Sequence, residues 1–370
     1  MVGASRKAGR TPPQIGEHNL RVTLDAVRRD GPLSRAELAL RTGLSGPGIS
    51  NILRRLREDG LVVARRRRGM GVGPPVTEFA LIPGAVHGVG VAVQGGAGEA
   101  ILLDLNGTVC RRRAFVMGDD RTAAIKGAVE ALLDPHPGRV LGIGVGADRP
   151  ELLDREAIAS VFPGLPVVVE RDCVAALFAE RTFGVGAVEG GVMLIVINEG
   201  VRAGFMFRGV PFSGVHGRAG SIGAMRTGPD RVPLDSVVGL DTLRAVMSPS
   251  EREQLRADGE LQLVPEIRAW IREAAGHLVD AIVATAGFLA PGAILVGGNL
   301  PANLIDELIR QMSVERGGTA IRPFITPWLS PIRRTSFAGA GIAVGAALLP
   351  FFGVLLPSPA ATSQRPQTIA

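Results

Sequence analysis

The chain has 370 residues, 46% of them hydrophobic, which leaves room for two or three domains with sizeable cores and excludes a wholly disordered protein. Lys and Arg number 41 against 35 Asp and Glu, a net charge of +6, but residues 1–84 carry 15 basic and 7 acidic side chains (15 − 7 = +8) and residues 85–370 carry 26 and 28 (26 − 28 = −2). A basic first quarter on a near-neutral remainder points to a nucleic-acid-binding module joined to a second domain, and two distant cysteines, Cys110 and Cys173, exclude a disulfide framework.

In chain order, residues 1–16 read as a disordered tail; they are polar and basic through Arg10, without the apolar run of a secretion signal, so a cytoplasmic protein is expected. A DNA-binding domain is expected over 17–83. Its first helix covers 18–29, with Leu20, Val22, Leu24 and Val27 among polar residues, and ends at Asp30-Gly31-Pro32. Residues 33–43 give a short second helix, in which Ser34 is the N-cap, Glu37 follows three residues later and Gly43 is the stop. After a tight turn Ser45 caps a third helix, where Ile49, Ile52, Leu53 and Leu56 recur at helical spacing. Residues 60–63 and 76–81 read as two strands of a hairpin whose basic tip, from Arg65 on, is a wing. Taken singly, three amphipathic helices also make a plain bundle, and four arginines also make a solvated charge block. In this order and spacing they make a winged helix-turn-helix that binds double-stranded DNA. The residues expected at DNA are Arg35, then Ser45, Pro47, Gly48, Ser50 and Asn51 near the start of the third helix, where base edges are read. Arg54, Arg55 and the wing residues Arg65, Arg66, Arg67 and Arg68 would meet phosphates.

Pro83-Gly84 is the joint to a domain over 84–350. Strands are expected at 88–93, 100–105 and 108–117, with Asn106-Gly107 as a hairpin turn, then a helix at 122–133 and strands at 140–145 and 166–169. A helix at 172–183 follows, then a strand pair at 191–198 and 203–208, helices at 234–246 and 265–288, and a strand at 293–296. A helix at 305–311, a strand at 331–335 and a helix at 339–349 complete the set. Paired strands and helices thus recur from Gly191 on, which suggests two α/β lobes with a cleft between them. The uncharged stretch 337–356 is long enough to span a bilayer, but it reads as a buried helix closing a Gly/Ala-rich core and broken by Pro350, so no membrane partner is expected. Residues 351–370 read as a C-terminal tail.

Three stretches carry a resemblance: Val167-Val168-Val169-Glu170-Arg171-Asp172-Cys173-Val174-Ala175-Ala176, the segment 208–225, and Leu295-Val296-Gly297-Gly298-Asn299. The chain resembles the ROK family of repressors, open reading frames and sugar kinases, over about residues 18–350. The resemblance implies a winged helix-turn-helix followed by a two-lobed, actin-like, ribonuclease-H-type ATPase fold, α/β overall, working as a homodimer or dimer of dimers.

The departures from the family pattern shape the functional expectation. Family kinases have an Asn-Asp pair, with Asn on the sugar and Asp as base. Here the pair is Arg171-Asp172, which leaves Asp172 as a vestigial base or merely a helix cap, with Arg171 expected to pair with it or with a neighbouring acid. The family's sugar-binding Glu and its zinc- or sugar-binding His are replaced by Ser221 and Ala224, and the cysteine-rich zinc hairpin has no cysteine here, so no zinc is expected. Asp235 stands near the place of a last sugar-binding Glu. The phosphate-cradling turns resemble Gln94-Gly95-Gly96-Ala97, without the Asp that orients Mg²⁺, and Asn198-Glu199-Gly200-Val201-Arg202-Ala203-Gly204, where Glu199 adds a carboxylate and Arg202 replaces a glycine. No ATP binding is therefore expected. The resemblance implies a transcriptional repressor with a catalytically inactive domain kept for dimerisation and for sensing a carbohydrate effector, the candidate effector-binding residues being Arg171, Asp172, His216, Ser221 and Asp235. Two alternatives stand beside it: a sugar kinase fused to a DNA-binding domain, and a ROK-like regulator with no small-molecule effector.

Overall fold

Serine caps and a left-handed glycine shape the N-terminal module. In the computed structural model, which describes residues 12–67, 76–255, 259–317 and 329–357, the module consists of α1 (Pro12–Asp30), β1 (Leu33–Ser34), α2 (Arg35–Thr42), α3 (Gly46–Glu58), β2 (Val62–Arg67) and β3 (Val76–Leu81). Ser34 and Glu37 close a reciprocal capping box at the start of α2, and Gly43, at φ 72°, ends it in the conformation glycine adopts without strain. Ser45 caps α3. The strands pair antiparallel in the order β1-β3-β2, and Leu24, Leu38, Ile49, Leu53, Leu56 and Phe79 fill the core beneath them. The first helix begins at Pro12, so the expected tail is too long by residues 12–16; residues 1–11 lie outside the described residues. With only two residues, β1 is too short to show a period in the sequence.

The first lobe is a five-stranded sheet in the order β6-β5-β4-β7-β8, from β4 (His87–Gln94), β5 (Ala97–Asp104), β6 (Val109–Val116), β7 (Val140–Ala147) and β8 (Val167–Arg171). The hairpin strands are antiparallel, and β4, β7 and β8 run parallel. Helices α4 (Arg121–Leu133) and α5 (Arg155–Ser160) cover one face, and α6 (Asp172–Phe183) packs with the other. The second lobe repeats the strand order as β11-β10-β9-β14-β15, from β9 (Val192–Ile197), β10 (Val201–Phe207), β11 (Val210–Pro211), β14 (Ala293–Gly298) and β15 (Ile332–Arg334). Between them come the small hairpin β12 (Arg226–Thr227) and β13 (Val232–Pro233), then α7 (Leu240–Val246), α8 (Pro249–Gln254) and α9 (Pro265–Leu289). Helix α10 (Ala302–Gly317) precedes β15. Strand β9 is buried on both faces: Val192, Leu194 and Val196 point to the core beneath α6, and Met193, Ile195 and Ile197 to the core beneath α9.

The last helix, α11 (Ile342–Val354), returns to the first lobe and lies on β4 and β7 beside α6. Glycine makes the approach possible. A Cβ on Gly90 would stand 2.0 Å from the Ala343 carbonyl oxygen, and one on Gly144 only 1.9 Å from that of Ala346. Two expectations are corrected here. Pro350 does not break the helix, and the chain is not a tail from 351, because α11 runs to Val354 with Phe351, Leu355 and Leu356 buried. The carbonyl that Pro350 leaves without an N–H partner is that of Ala346, four residues earlier, and this oxygen faces the Gly144 backbone instead. The helix expected over 234–246 is split into a 3₁₀ turn, Leu234–Ser236, and α7, because the Leu240 N–H is drawn to the Asn198 carbonyl at 2.8 Å. Among the described residues no helix is long and apolar enough to cross a membrane.

Candidate nucleic-acid interface and inter-lobe site

Helix α3 buries Ile49, Leu53 and Leu56 and leaves Ser50, Asn51, Arg54 and Arg57 exposed. Ser50, Arg54 and Arg57 follow at intervals of four and three, so they share one face; Arg57 was not among the residues expected at DNA, although this spacing could have found it. Arg54 Nη2 donates to Asn51 Oδ1 at 3.2 Å, tying a phosphate-type to a base-type side chain. Ser45 accepts the Gly48 N–H at 3.4 Å, so its hydroxyl serves the cap, with Pro47 exposed beside it. Arg55 turns back to Glu17 of α1 at 2.8 Å. The Arg35 guanidinium lies over the Phe79 ring, 5.3 Å from its centre.

The wing differs from its expectation. Arg65, Arg66 and Arg67 are not at a hairpin tip but within β2, paired with Glu78, Thr77 and Val76. They are exposed, and strand alternation sets Arg66 on the face opposite Arg65 and Arg67. Arg67 Nη1 meets the buried Glu78 carboxylate at 2.6 Å, so one of the arginines neutralises the protein itself. Arg68 lies outside the described residues.

Where the two lobes meet, Asp172 opens α6 with only 1% of its surface exposed. Its Oδ1 accepts the Cys173 N–H at 2.7 Å, and its Oδ2 accepts Asn198 Nδ2 at 3.3 Å. Asn198 Oδ1 in turn accepts the Asn299 N–H at 2.9 Å, so one chain of bonds joins the ends of β8, β9 and β14. Burial pushes the Asp172 carboxyl up to about 6, helped by Asp148 and opposed by the Arg202 guanidinium and the bonds from Cys173 and Asn198. The cation beside Asp172 is therefore Arg202. The expected pairing of Arg171 with Asp172 or another acid is not found among the described residues, because consecutive side chains at the end of β8 diverge; Arg171 Nε lies 3.7 Å from where a Cβ on Gly217 would stand. Nor is Asp172 the N-cap, which is Arg171; Asp172 is the first helical residue. Asn198 and Arg202 were missed as partners of Asp172 because 26 and 30 residues separate them from it and only the sheet brings them near.

Other expected effector-binding residues are engaged in the fold. Asp235 Oδ1 accepts the Val201 N–H at 2.6 Å, and Ser221 Oγ donates to the Arg218 carbonyl at 3.3 Å. His216 sits in a 3₁₀ turn, Val215–Gly217, but its side chain lies outside the described residues. At the phosphate-type turns, Glu199 Cγ stands 3.4 Å from the position of a Cβ on Gly95, and Arg244 Nη1 grips the Glu199 carboxylate at 3.0 and 3.1 Å. A nucleotide triphosphate does not fit these residues, since an ion-paired carboxylate lies across the turn that would need to hold anions. The β12–β13 hairpin has no thiolates; Thr227 Oγ1 meets His277 Nδ1 at 2.7 Å, and the Gly228 N–H donates to Asp280 at 2.9 Å. That donor set does not fit zinc.

Residues 22–69 match the family model described as the MarR family. The whole chain superposes on the crystal structure of a ROK family transcriptional regulator, a homologue of the Escherichia coli MLC protein, with a TM-score of 0.68 at 19% identity, covering 94% of this chain and 99% of that one. At this identity the likeness shows the fold, a winged module ahead of two α/β lobes. The chain also superposes on a Streptomyces griseus ROK glucokinase at a TM-score of 0.56 and 22% identity, covering 71% of this chain and 98% of the kinase. In sequence, the chain is 26% identical to the protein y4fQ of Sinorhizobium fredii, over 90% of this chain and 91% of that one. It is 23% identical to the xylose repressor of Bacillus subtilis, over 56% of this chain and 60% of the repressor.

Proposed function

We propose that this protein is a transcriptional repressor that binds double-stranded DNA in the cytoplasm as a homodimer or dimer of dimers, through a module spanning about residues 17–83. The observation that carries the reading is the capped helix α3, whose exposed face presents Ser50, Asn51 and Arg54 beside a basic strand hairpin. A dimer sets the spacing of two such helices, and a ligand between the lobes shifts it by binding one arrangement better than the other. The ROK-type domain acts without catalysis. Phosphoryl transfer depends on positioned, charge-neutralised phosphates, and the Glu199–Arg244 pair at Gly95 works against this; Asp172 is a base without a second substrate. Selection of binding sites from genomic DNA, followed by footprinting, tests the reading; transfer of phosphoryl groups from ATP to a sugar, giving a sugar phosphate and ADP, supports the fused-kinase alternative instead.

The effector would be a carbohydrate held near Arg171, Asp172, His216, Ser221 and Asp235. The bonds already made by Asp235 and Ser221 favour a second reading, a regulator that answers to no small molecule. A panel of sugars in thermal melting separates the two, since a ligand at a hundred times its dissociation constant adds about 2.7 kcal/mol.

A further inference from the structure

Helix α1 meets the first lobe around a small open pocket, where Asp25, Arg28 and Arg29 face Arg181 and Thr182 of α6 and Phe352 of α11. The lining holds three guanidinium groups and one carboxylate, formally +2 (3 − 1). Asp25 is already engaged, receiving Arg28 at 2.9 Å and Arg29 at 3.2 Å, while Arg28 stacks 5.2 Å from the centre of the Phe183 ring. Arg181 forms no hydrogen bond or ion pair among the described residues, and burial followed by the neighbouring Arg29 charge holds its guanidinium below the usual value, with the Asp25 carboxylate opposing them. One turn before Asp25 on the same face of α1, Arg21 buries its Nε without a partner among the described residues. Exposed arginines tolerate this in water, but guanidinium groups held together between two domains leave a charge that wants a counter-ion.

The space has room for a counter-ion. Its volume of about 40 Å³ corresponds to roughly three water positions, at about 10–15 Å³ each. That is room enough for a tetrahedral oxyanion. Arginine forks match the oxygen geometry of phosphate, and Thr182 lines the same space. We propose that this pocket binds a phosphate group, free or as the head of a small phosphorylated metabolite, and that the bound phosphate fastens the DNA-binding module to the two-lobed domain. A phosphate there touches both α1 and α6, so it fixes their relative placement. Its consequence for DNA rests on the repressor reading; the binding itself does not.

The test is calorimetry on the full chain with inorganic phosphate in a chloride buffer, with no DNA present. One site per chain is expected, weakened at least tenfold in Arg181→Gln and in Arg29→Gln and largely kept in Arg181→Lys. Phosphate should also raise the melting temperature of the wild type and not that of Arg181→Gln, whose own melt reports whether it folds. No binding by the wild type, or equal binding by wild type and both glutamine variants, which would mean an adventitious ion only, overturns the proposal. A second arm titrates duplex DNA in phosphate-free buffer, where Arg181→Gln should leave affinity and salt dependence unchanged. A salt slope lower by about one unit would place a DNA phosphate in the pocket and overturn the assignment to a free phosphate or metabolite.

Discussion

Asn198 donates its side-chain amide from the second lobe to Asp172 in the first and accepts the Asn299 N–H, so it is the buried middle link of a hydrogen-bond chain between the lobes. A free aspartate ionises near 3.9, but Asp172 keeps its proton until about 6. Between these values the folded protein binds more protons than the unfolded chain, so stability falls as pH rises through the window from about 4 to 6 and stays lower above it. Two pKa units correspond to roughly 2–3 kcal/mol at most. Asp172→Asn cannot titrate. Its melting temperature relative to wild type should therefore rise between pH 4 and pH 7.5, with DNA affinity unchanged in the absence of ligand. A difference that stays constant over this range would show that Asp172 is not the titrating group.

The seat of α11 predicts a second outcome. Gly144→Ala drives a Cβ against the Ala346 carbonyl, a backbone atom that yields only if the helix shifts. Overpacking of this kind costs about 1–3 kcal/mol or more. At Gly118 nothing lies within 4 Å of a new Cβ, so Gly118→Ala should change stability by under about 0.5 kcal/mol. Denaturant midpoints of the two variants measure the contrast, and equal midpoints would show that the close approach of α11 has been misplaced.

A third prediction concerns the β12–β13 hairpin, which is clamped to α9 by His277 and Asp280. Chelator should leave the melting temperature unchanged, while His277→Ala should lower it, because Thr227 loses a buried partner. Protein purified without a histidine tag should carry no stoichiometric zinc by elemental analysis. Zinc at one per chain would show that segment 219–235 is built differently.

Local chemistry was legible in the sequence wherever a side chain acts within its own turn. Ser34, Glu37, Gly43 and Ser45 set the helix ends of the DNA-binding module as their types require, and α6 runs over the expected residues, 172–183. What the sequence hid depends on interactions made across the fold. The pairing of Asp172 with Asn198 rather than with Arg171, the split at Gly239 and the passage of α11 through Pro350 each depend on an atom far away in sequence. The added carboxylate at Glu199 was visible as a residue type, but its partner Arg244, 45 residues on, was not.

The last prediction separates the two basic elements at the DNA. Ser50 and Asn51 stand on the exposed side of α3 near its N-terminus, so Ser50→Ala and Asn51→Ala should alter which sequences are preferred, each by about 1–3 kcal/mol at the base it reads. Arg65 and Arg66 are exposed on β2 with no ion pair among the described residues, so the double change to Ala should weaken binding to all sequences alike. The salt slope should fall by about one unit for each phosphate that is no longer neutralised. Arg67 should behave differently from its neighbours. Its guanidinium is the partner of Glu78, whose carboxylate is buried. Arg67→Gln should therefore lower the melting temperature of the module while moving the salt slope less than Arg65→Gln does. Anisotropy titrations over a range of salt concentrations, read beside thermal melts, measure both quantities. If Arg67→Gln lowers the slope as much as Arg65→Gln and leaves the melt unchanged, the Arg67–Glu78 pair does not hold the hairpin and all three arginines face the DNA.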